Sequence, residues 1–131
     1  MTALLGIPVC CVSPGGLLTE REQMPLHVFD PVAHIPEKEL GECVRQLAKA
    51  LGLLRYHTFR SDRSPEGFPD EAIIRGDTLL LYELKAEKGK LTPAQIRWLD
   101  ALSRVTRVES GVWRPTQWVD GTIELTLRGG R

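Results

Sequence analysis

Apolar and polar positions follow two different rhythms along this chain, and the changes of rhythm mark out its elements. After Pro36, the residues Leu40, Cys43, Val44, Leu47, Ala48 and Leu51 recur at helical spacing, and Gly52 supplies a stop. The spacing predicts an amphipathic helix. Leu53 to Phe59, rich in Leu, Tyr, Thr and Phe, reads as a strand leading out of that helix. Two short apolar runs come next, Glu71 to Arg75 and Thr78 to Leu84, separated by Gly76-Asp77, a Gly-X pair suited to a two-residue hairpin. Thr92 as N-cap, Pro93 at the first helical position and Gln95 three residues after the cap announce a second helix with a capping box. Its buried face is expected from Ile96, Leu99, Leu102 and Val105, with Trp98 on a flank. Val108 to Trp113 predicts a further strand ended by Arg114-Pro115, and Thr122 to Leu127 alternates like a short edge strand.

The order helix, strand, hairpin, helix, strand predicts an α/β sandwich with a mixed central sheet flanked by helices. Residues 1–32 stand apart: Pro8, Pro14, Gly15, Gly16, Pro25 and Pro31 break them into pieces too short to assign. They are expected to form an accessory arm before a domain over residues 33–127, with a frayed tail over 128–131. Met24 offers an alternative start.

Composition narrows the partners. A chain of 131 residues suffices for one domain with a real core. With 17 basic and 17 acidic residues the formal charge is zero, which excludes a blanket attraction to nucleic acid and leaves only local patches. Cys10, Cys11 and Cys43 have no metal-ligand spacing, and two are adjacent, so no ordinary disulfide framework is expected. The apolar run Ala3 to Val12 lacks the basic leader and the length of a signal peptide or membrane span. A soluble, cytoplasmic protein with no membrane partner is the expectation.

The hairpin carries the candidate chemistry. If Arg75 and Thr78 flank the turn, the register brings Asp70 opposite Glu83, and Lys85 points to the same face as Glu83. Opposed side chains have Cβ atoms roughly 4.5–5.5 Å apart, and like charges at that separation destabilise the pair unless a cation lies between them. Asp70, Glu83 and the backbone carbonyl of Leu84 would offer hard oxygen ligands to Mg²⁺ or Mn²⁺. Lys85 would orient an attacking water or stabilise developing negative charge, which suits metal-assisted phosphodiester hydrolysis. The plainer reading makes Asp70 a turn residue and Glu83 with Lys85 an exposed strand face.

Other residues border this centre. Counted at about 100° per residue, Glu37 falls on the apolar side of the first helix, while Glu39 and Glu42 point elsewhere and suit the helix dipole. His57 lies on the strand before the loop, as a hydrogen-bonded structural group or a functional one. Arg60 and Arg63 in the polar loop, and Lys88 and Lys90 after the hairpin, are either solvated or contacts to a phosphate backbone. The capping role of Gln95 explains it without catalysis and is compatible with a role at the site.

Pro69-Asp70 and Glu83-Leu84-Lys85 in an αβββαβ context resemble the PD-(D/E)XK nuclease superfamily. Tyr56-His57, Ser64-Pro65, Gly67-Phe68-Pro69-Asp70, Tyr82-Glu83-Leu84-Lys85, Gly89 to Gln95, Trp98-Leu99 and Val112-Trp113-Arg114-Pro115 are similar to its VRR-NUC branch in the stand-alone phage and bacterial form. The likeness spans residues 36 to 118. It implies a restriction-endonuclease-like fold, with Asp70 and Glu83 as metal ligands and Lys85 as the catalytic lysine. It further implies that Glu37 completes the acidic set and that Gln95 lies close to the site. The implied activity is a Mg²⁺-dependent DNA endonuclease, structure-directed because so small a chain has little means of reading a long sequence. A homodimer acting on branched or double-stranded DNA such as a Holliday junction, in a bacterial cell or phage-infected host, is the matching partner set. The alternative is a catalytically weak DNA-binding or assembly protein that keeps the fold. Glu71 departs from the pattern, standing where the family has an apolar residue, and would perturb the strand or add a charge near the metal.

Overall fold

In the computed structural model, which describes residues 34–58 and 62–130, the apolar stripe after Pro36 becomes helix α1 (Glu37–Ala50). It buries Leu40, Cys43, Val44, Leu47 and Ala48, and Gly52 turns the chain out at φ 72°, a left-handed conformation that favours glycine. Strand β1 (Leu54–His57) follows, then the hairpin of β2 (Glu71–Arg75) and β3 (Thr78–Leu84). Helix α2 (Pro93–Leu102) crosses over to β4 (Val108–Trp113), which pairs parallel to β3, while β1, β2 and β3 are mutually antiparallel. The sheet order is β1-β2-β3-β4, the mixed sheet that the element order predicted. The arm over residues 1–32 and Arg60 lie outside the described residues.

One face of the sheet holds the core. Ile73, Leu80, Leu84 and Trp113 alternate onto that face and pack on the stripe of α1. Tyr82 stacks on Trp113 with ring centroids 4.0 Å apart. The chain then departs from expectation. Instead of an edge strand over Thr122 to Leu127 it forms two short helices, α3 (Pro115–Val119) and α4 (Thr122–Arg128), which contact α1 and each other. Gly121 and Gly129, both in the left-handed region, bracket α4, and Ile123 and Leu127 bury one side of it at i, i+4 spacing. A strand here would have hidden Leu125 as well, yet Leu125 is exposed. Arg75 fastens α4 to the sheet, donating to the Thr126 carbonyl at 2.6 Å and pairing with Glu109 at 2.9 Å.

Helix α2 lies on the opposite face, where Leu81 and Glu83 point. None of its residues is buried, and Ile96 and Val105, expected in a core, are about half exposed. The helix is held by its ends and by side-chain contacts rather than by a buried stripe. Cys43 is buried in the stripe of α1, and Cys10 and Cys11 lie outside the described residues. No helix among the described residues is long and apolar enough to cross a membrane.

Candidate metal centre

The hairpin register is the one that turn chemistry predicts: Arg75 faces Thr78 across Gly76-Asp77, and Glu71 faces Tyr82. Asp70 stands one residue beyond the last pair, opposite Glu83. It is tied there by both ends, since its Oδ2 accepts the Leu84 backbone N–H at 3.1 Å and its carbonyl accepts the Thr58 N–H at 3.2 Å. The carboxylate is therefore placed by backbone, not by a flexible partner.

Glu83 is buried, with 3% of its surface exposed. Its Oε1 accepts the Gln95 side-chain amide at 2.5 Å and lies 3.6 Å from Lys85 Nζ. Its Oε2 accepts nothing, and among the described residues it is the one buried side-chain polar atom without a hydrogen-bond partner. Such an atom costs about 1–3 kcal/mol, so it calls for a donor or a cation. The electrostatics agree. Burial first, then the facing Asp70 carboxylate, push the Glu83 carboxyl up to about 7, with Lys85 pulling it down and Glu37 adding to the rise.

Gln95 belongs to this centre as well as to its helix. The capping box is formed, with Gln95 N–H donating to Thr92 Oγ1 at 3.2 Å and Gln95 Oε1 accepting the Thr92 N–H at 2.9 Å. The remaining Nε2 is the group that reaches Glu83. What presses α2 against the hairpin is Gly67: a Cβ there would stand 2.5 Å from the Ala94 carbonyl carbon and 2.6 Å from its oxygen. Only glycine permits that approach, and its φ of 95° excludes other residues independently.

On the α1 side a groove of about 570 Å³ opens between the helix and the sheet, lined by Glu37, Arg45, Arg55, His57, Asp70 and Leu84 among others. Glu37 sits on its rim, exposed. Along its floor runs a charge cluster that the strand pattern alone did not reveal. Arg55 grips Glu71 with two parallel bonds, Nε to Oε2 at 2.7 Å and a terminal nitrogen to Oε1 at 2.6 Å, and His57 Nδ1 lies 3.0 Å from the same Oε1. Glu71 is fully buried; burial raises its pKa, opposed by Arg55 and His57. The carboxylate that departs from the family pattern thus neither breaks the strand nor joins Asp70, because the next residue of a strand turns to the other face. The signal available in the sequence was Arg55 and His57 at i, i+2 spacing. Without the β1–β2 register it could not be paired with Glu71.

The remaining candidates are spread around the centre. Arg63, Lys88 and Lys90 are exposed. The segment between Lys85 and Lys90 is fixed from below, since Arg114 donates to the carbonyls of Ala86 at 2.8 Å and Gly89 at 2.7 Å, and Glu87 accepts the Thr116 N–H at 3.0 Å. Its lysines are carried on a rigid loop.

The donor set fits a hard divalent cation in one specific way. Among the described residues no three His, Cys, Asp or Glu side chains gather closely enough to hold a metal by themselves, and Glu37 shares the groove with Asp70. Two carboxylates and a backbone carbonyl are what Mg²⁺ commonly takes from protein, the rest of its shell being water and substrate oxygens. The unpartnered, buried Glu83 Oε2 is the atom such an ion would satisfy.

A solved structure described as a VRR_NUC domain matches this chain with probability 1.00, a TM-score of 0.51 and 28% sequence identity, over 67% of this chain and 94% of that one. No protein-family model and no curated protein matches the chain.

Proposed function

We propose, from the likeness to a VRR_NUC domain structure and the shared α/β fold with its mixed sheet, that the chain is a nuclease of the VRR-NUC type, a Mg²⁺- or Mn²⁺-dependent DNA endonuclease. The observation that carries the reading is Glu83 Oε2, buried and unpartnered, on a carboxylate that faces Asp70 and whose other oxygen lies 3.6 Å from Lys85 Nζ. Asp70, Glu83 and the Leu84 carbonyl would hold the ion. When bound, the cation supplies charge neutralisation at the scissile phosphate and Lewis acidity.

The chain's own groups do the rest. Gln95 fixes one oxygen of Glu83, which leaves the other as the atom that would serve a cation. Lys85, anchored by its ion pair with Glu83, donates to the attacking water or to a phosphate oxygen as charge builds there. Glu37 adds negative charge that favours the cation. Arg55 and His57, paired with Glu71, line the groove leading from Asp70, and the exposed Arg63, Lys88 and Lys90 supply the local positive surface that a chain of zero net charge needs for DNA. We read the substrate as branched DNA engaged by a homodimer, whose two-fold symmetry suits a junction.

The test is nicking of supercoiled plasmid and of synthetic four-way junctions with Mg²⁺, with Mn²⁺ and with EDTA. Cleavage in the metal lanes alone is the expected result. Binding without cleavage in either metal would replace this reading with a DNA-binding or assembly role.

A further inference from the structure

On the α2 side of the sheet, away from the groove, lies a pocket of about 300 Å³ that the cutting chemistry leaves unused. It is lined by Tyr56, Thr58, Ser64, Gly67, Phe68 and Trp98, with Pro65 at its edge. Two large aromatic side chains face water beside it, Tyr56 at 65% and Phe68 at 38% exposure. Isolated exposed aromatics need no explanation. These are not isolated. Trp98 Nε1 donates to the Glu66 carbonyl at 3.1 Å, the Phe68 ring stands edge-on to Trp98 at 5.1 Å and 85°, and Gly67 is pressed on Ala94 behind them. The aromatic wall is therefore fixed before anything binds.

Its position matters as much as its shape. Trp98 is one helical turn beyond Gln95, Phe68 is two residues before Asp70, and Tyr56 adjoins His57. Two of the segments that build the candidate metal centre, the loop before Asp70 and helix α2, also build this pocket.

We propose that the pocket takes one unpaired nucleobase of the DNA strand, next to the phosphate held at Asp70 and Glu83. Aromatic faces stack on any base without reading its identity, and the Thr58 and Ser64 side chains at the margin offer hydroxyls to base edges. A paired base in a duplex already has both faces covered, so only a base that is extruded or lies at a branch point can enter. The placement of the phosphate rests on the nuclease reading; the base pocket itself does not require cleavage. It would make the enzyme select strands with an unpaired nucleotide at the cut.

Binding in EDTA tests this with the full chain and fluorescein-labelled oligonucleotides of one length: single-stranded oligo-dT, the same backbone with abasic sites throughout, and a blunt duplex. The expected result is about tenfold tighter binding of oligo-dT than of the abasic strand. Tyr56→Ala should abolish that preference and Tyr56→Trp should keep it. A 2-aminopurine placed in the strand should lose fluorescence on binding the wild type and not on binding Tyr56→Ala. Equal affinity of the wild type for oligo-dT and abasic strands overturns the proposal, as does a full preference retained by folded Tyr56→Ala. The wild-type comparison decides alone if the variant does not fold. Because no metal is present, failure here leaves the nuclease reading standing, and that reading fails separately by absence of metal-dependent cleavage.

Discussion

The Gln95 side chain is divided between two partners: its oxygen accepts the Thr92 backbone N–H that starts α2, and its nitrogen donates to Glu83 Oε1 at 2.5 Å. Helix capping and the orientation of the proposed metal-binding carboxylate are thereby one structural act. Gln95→Glu separates them. A glutamate still caps Thr92, so α2 should keep its start, but the donor to Glu83 is replaced by a third carboxylate, which should cost the metal-free protein about 1–3 kcal/mol. Metal-dependent cleavage should fall about 10- to 100-fold, the usual consequence of losing a partner that orients a ligand. Wild-type cleavage by this variant would show that Gln95 is a cap and nothing more.

Asp70 also serves two ends, as a proposed ligand and as the acceptor of the Leu84 N–H. Asp70→Asn keeps the acceptor and removes the charge; its melting temperature should change little while cleavage drops by about 10²–10³-fold or more. Asp70→Ala should lose activity equally and cost about a further 1 kcal/mol, because the Leu84 N–H is left without its partner. Lys85→Ala should match Asp70→Asn in activity. Denaturant titration beside a plasmid-nicking assay separates the two kinds of loss, and cutting at the wild-type rate by either Asp70→Asn or Lys85→Ala would move the centre elsewhere.

The Glu83 carboxyl, raised from 4.5 to about 7 by burial and by Asp70, makes the metal-free protein's stability depend on pH. Between those values the folded state holds a proton that the unfolded state has released, so this contribution is full below about 4.5 and is lost as pH rises through about 7. One proton corresponds to at most about 1.4 kcal/mol per pH unit. In EDTA, stability should fall from pH 5 to pH 7.5, and Glu83→Gln should flatten that slope. Added Mg²⁺ should stabilise the wild type chiefly at the alkaline end, where the carboxylate is free to bind it. A slope unchanged in Glu83→Gln would assign the pH dependence to another group.

Glu71 and Arg55 are a buried pair, and breaking one differs from replacing both. Glu71→Leu alone leaves the Arg55 guanidinium, whose side chain is 15% exposed, without its partner and should cost about 3–5 kcal/mol. The double variant Glu71→Leu with Arg55→Leu should recover most of that loss in a urea titration. A double variant no more stable than the single would mean that the pair contributes more than its mutual neutralisation.

Most of the centre was legible in the sequence because a two-residue turn fixes register over short range. Gly76-Asp77 set Asp70 against Glu83, and strand alternation set Lys85 beside them. The αβββαβ order followed from the apolar rhythms in the same way. The Arg55–Glu71–His57 cluster was not legible, since β1 and β2 are joined by a long polar loop that carries no register information. Thr122 to Leu127 was misread because Thr-Ile-Glu-Leu-Thr-Leu alternates with period two while Ile123 and Leu127 also satisfy helical spacing. The flanking glycines were the better guide. For α2 the capping signal was right and the burial inference was not. The tertiary contacts that cover α1 on its face of the sheet are not repeated around α2, so its apolar residues stay near solvent.

Gly67 contributes no polar side chain and sits three residues before the first acidic ligand, yet it sets the spacing between the hairpin and α2. A methyl group there would act as a wedge, widening the gap between Glu83 and Gln95 without touching either. The precision of the proposed cutting centre is therefore written partly at a position that chemistry alone would overlook. A screen for inactive alleles should recover Gly67→Ala beside the acidic and lysine substitutions, distinguishable from them because every reactive group is still present.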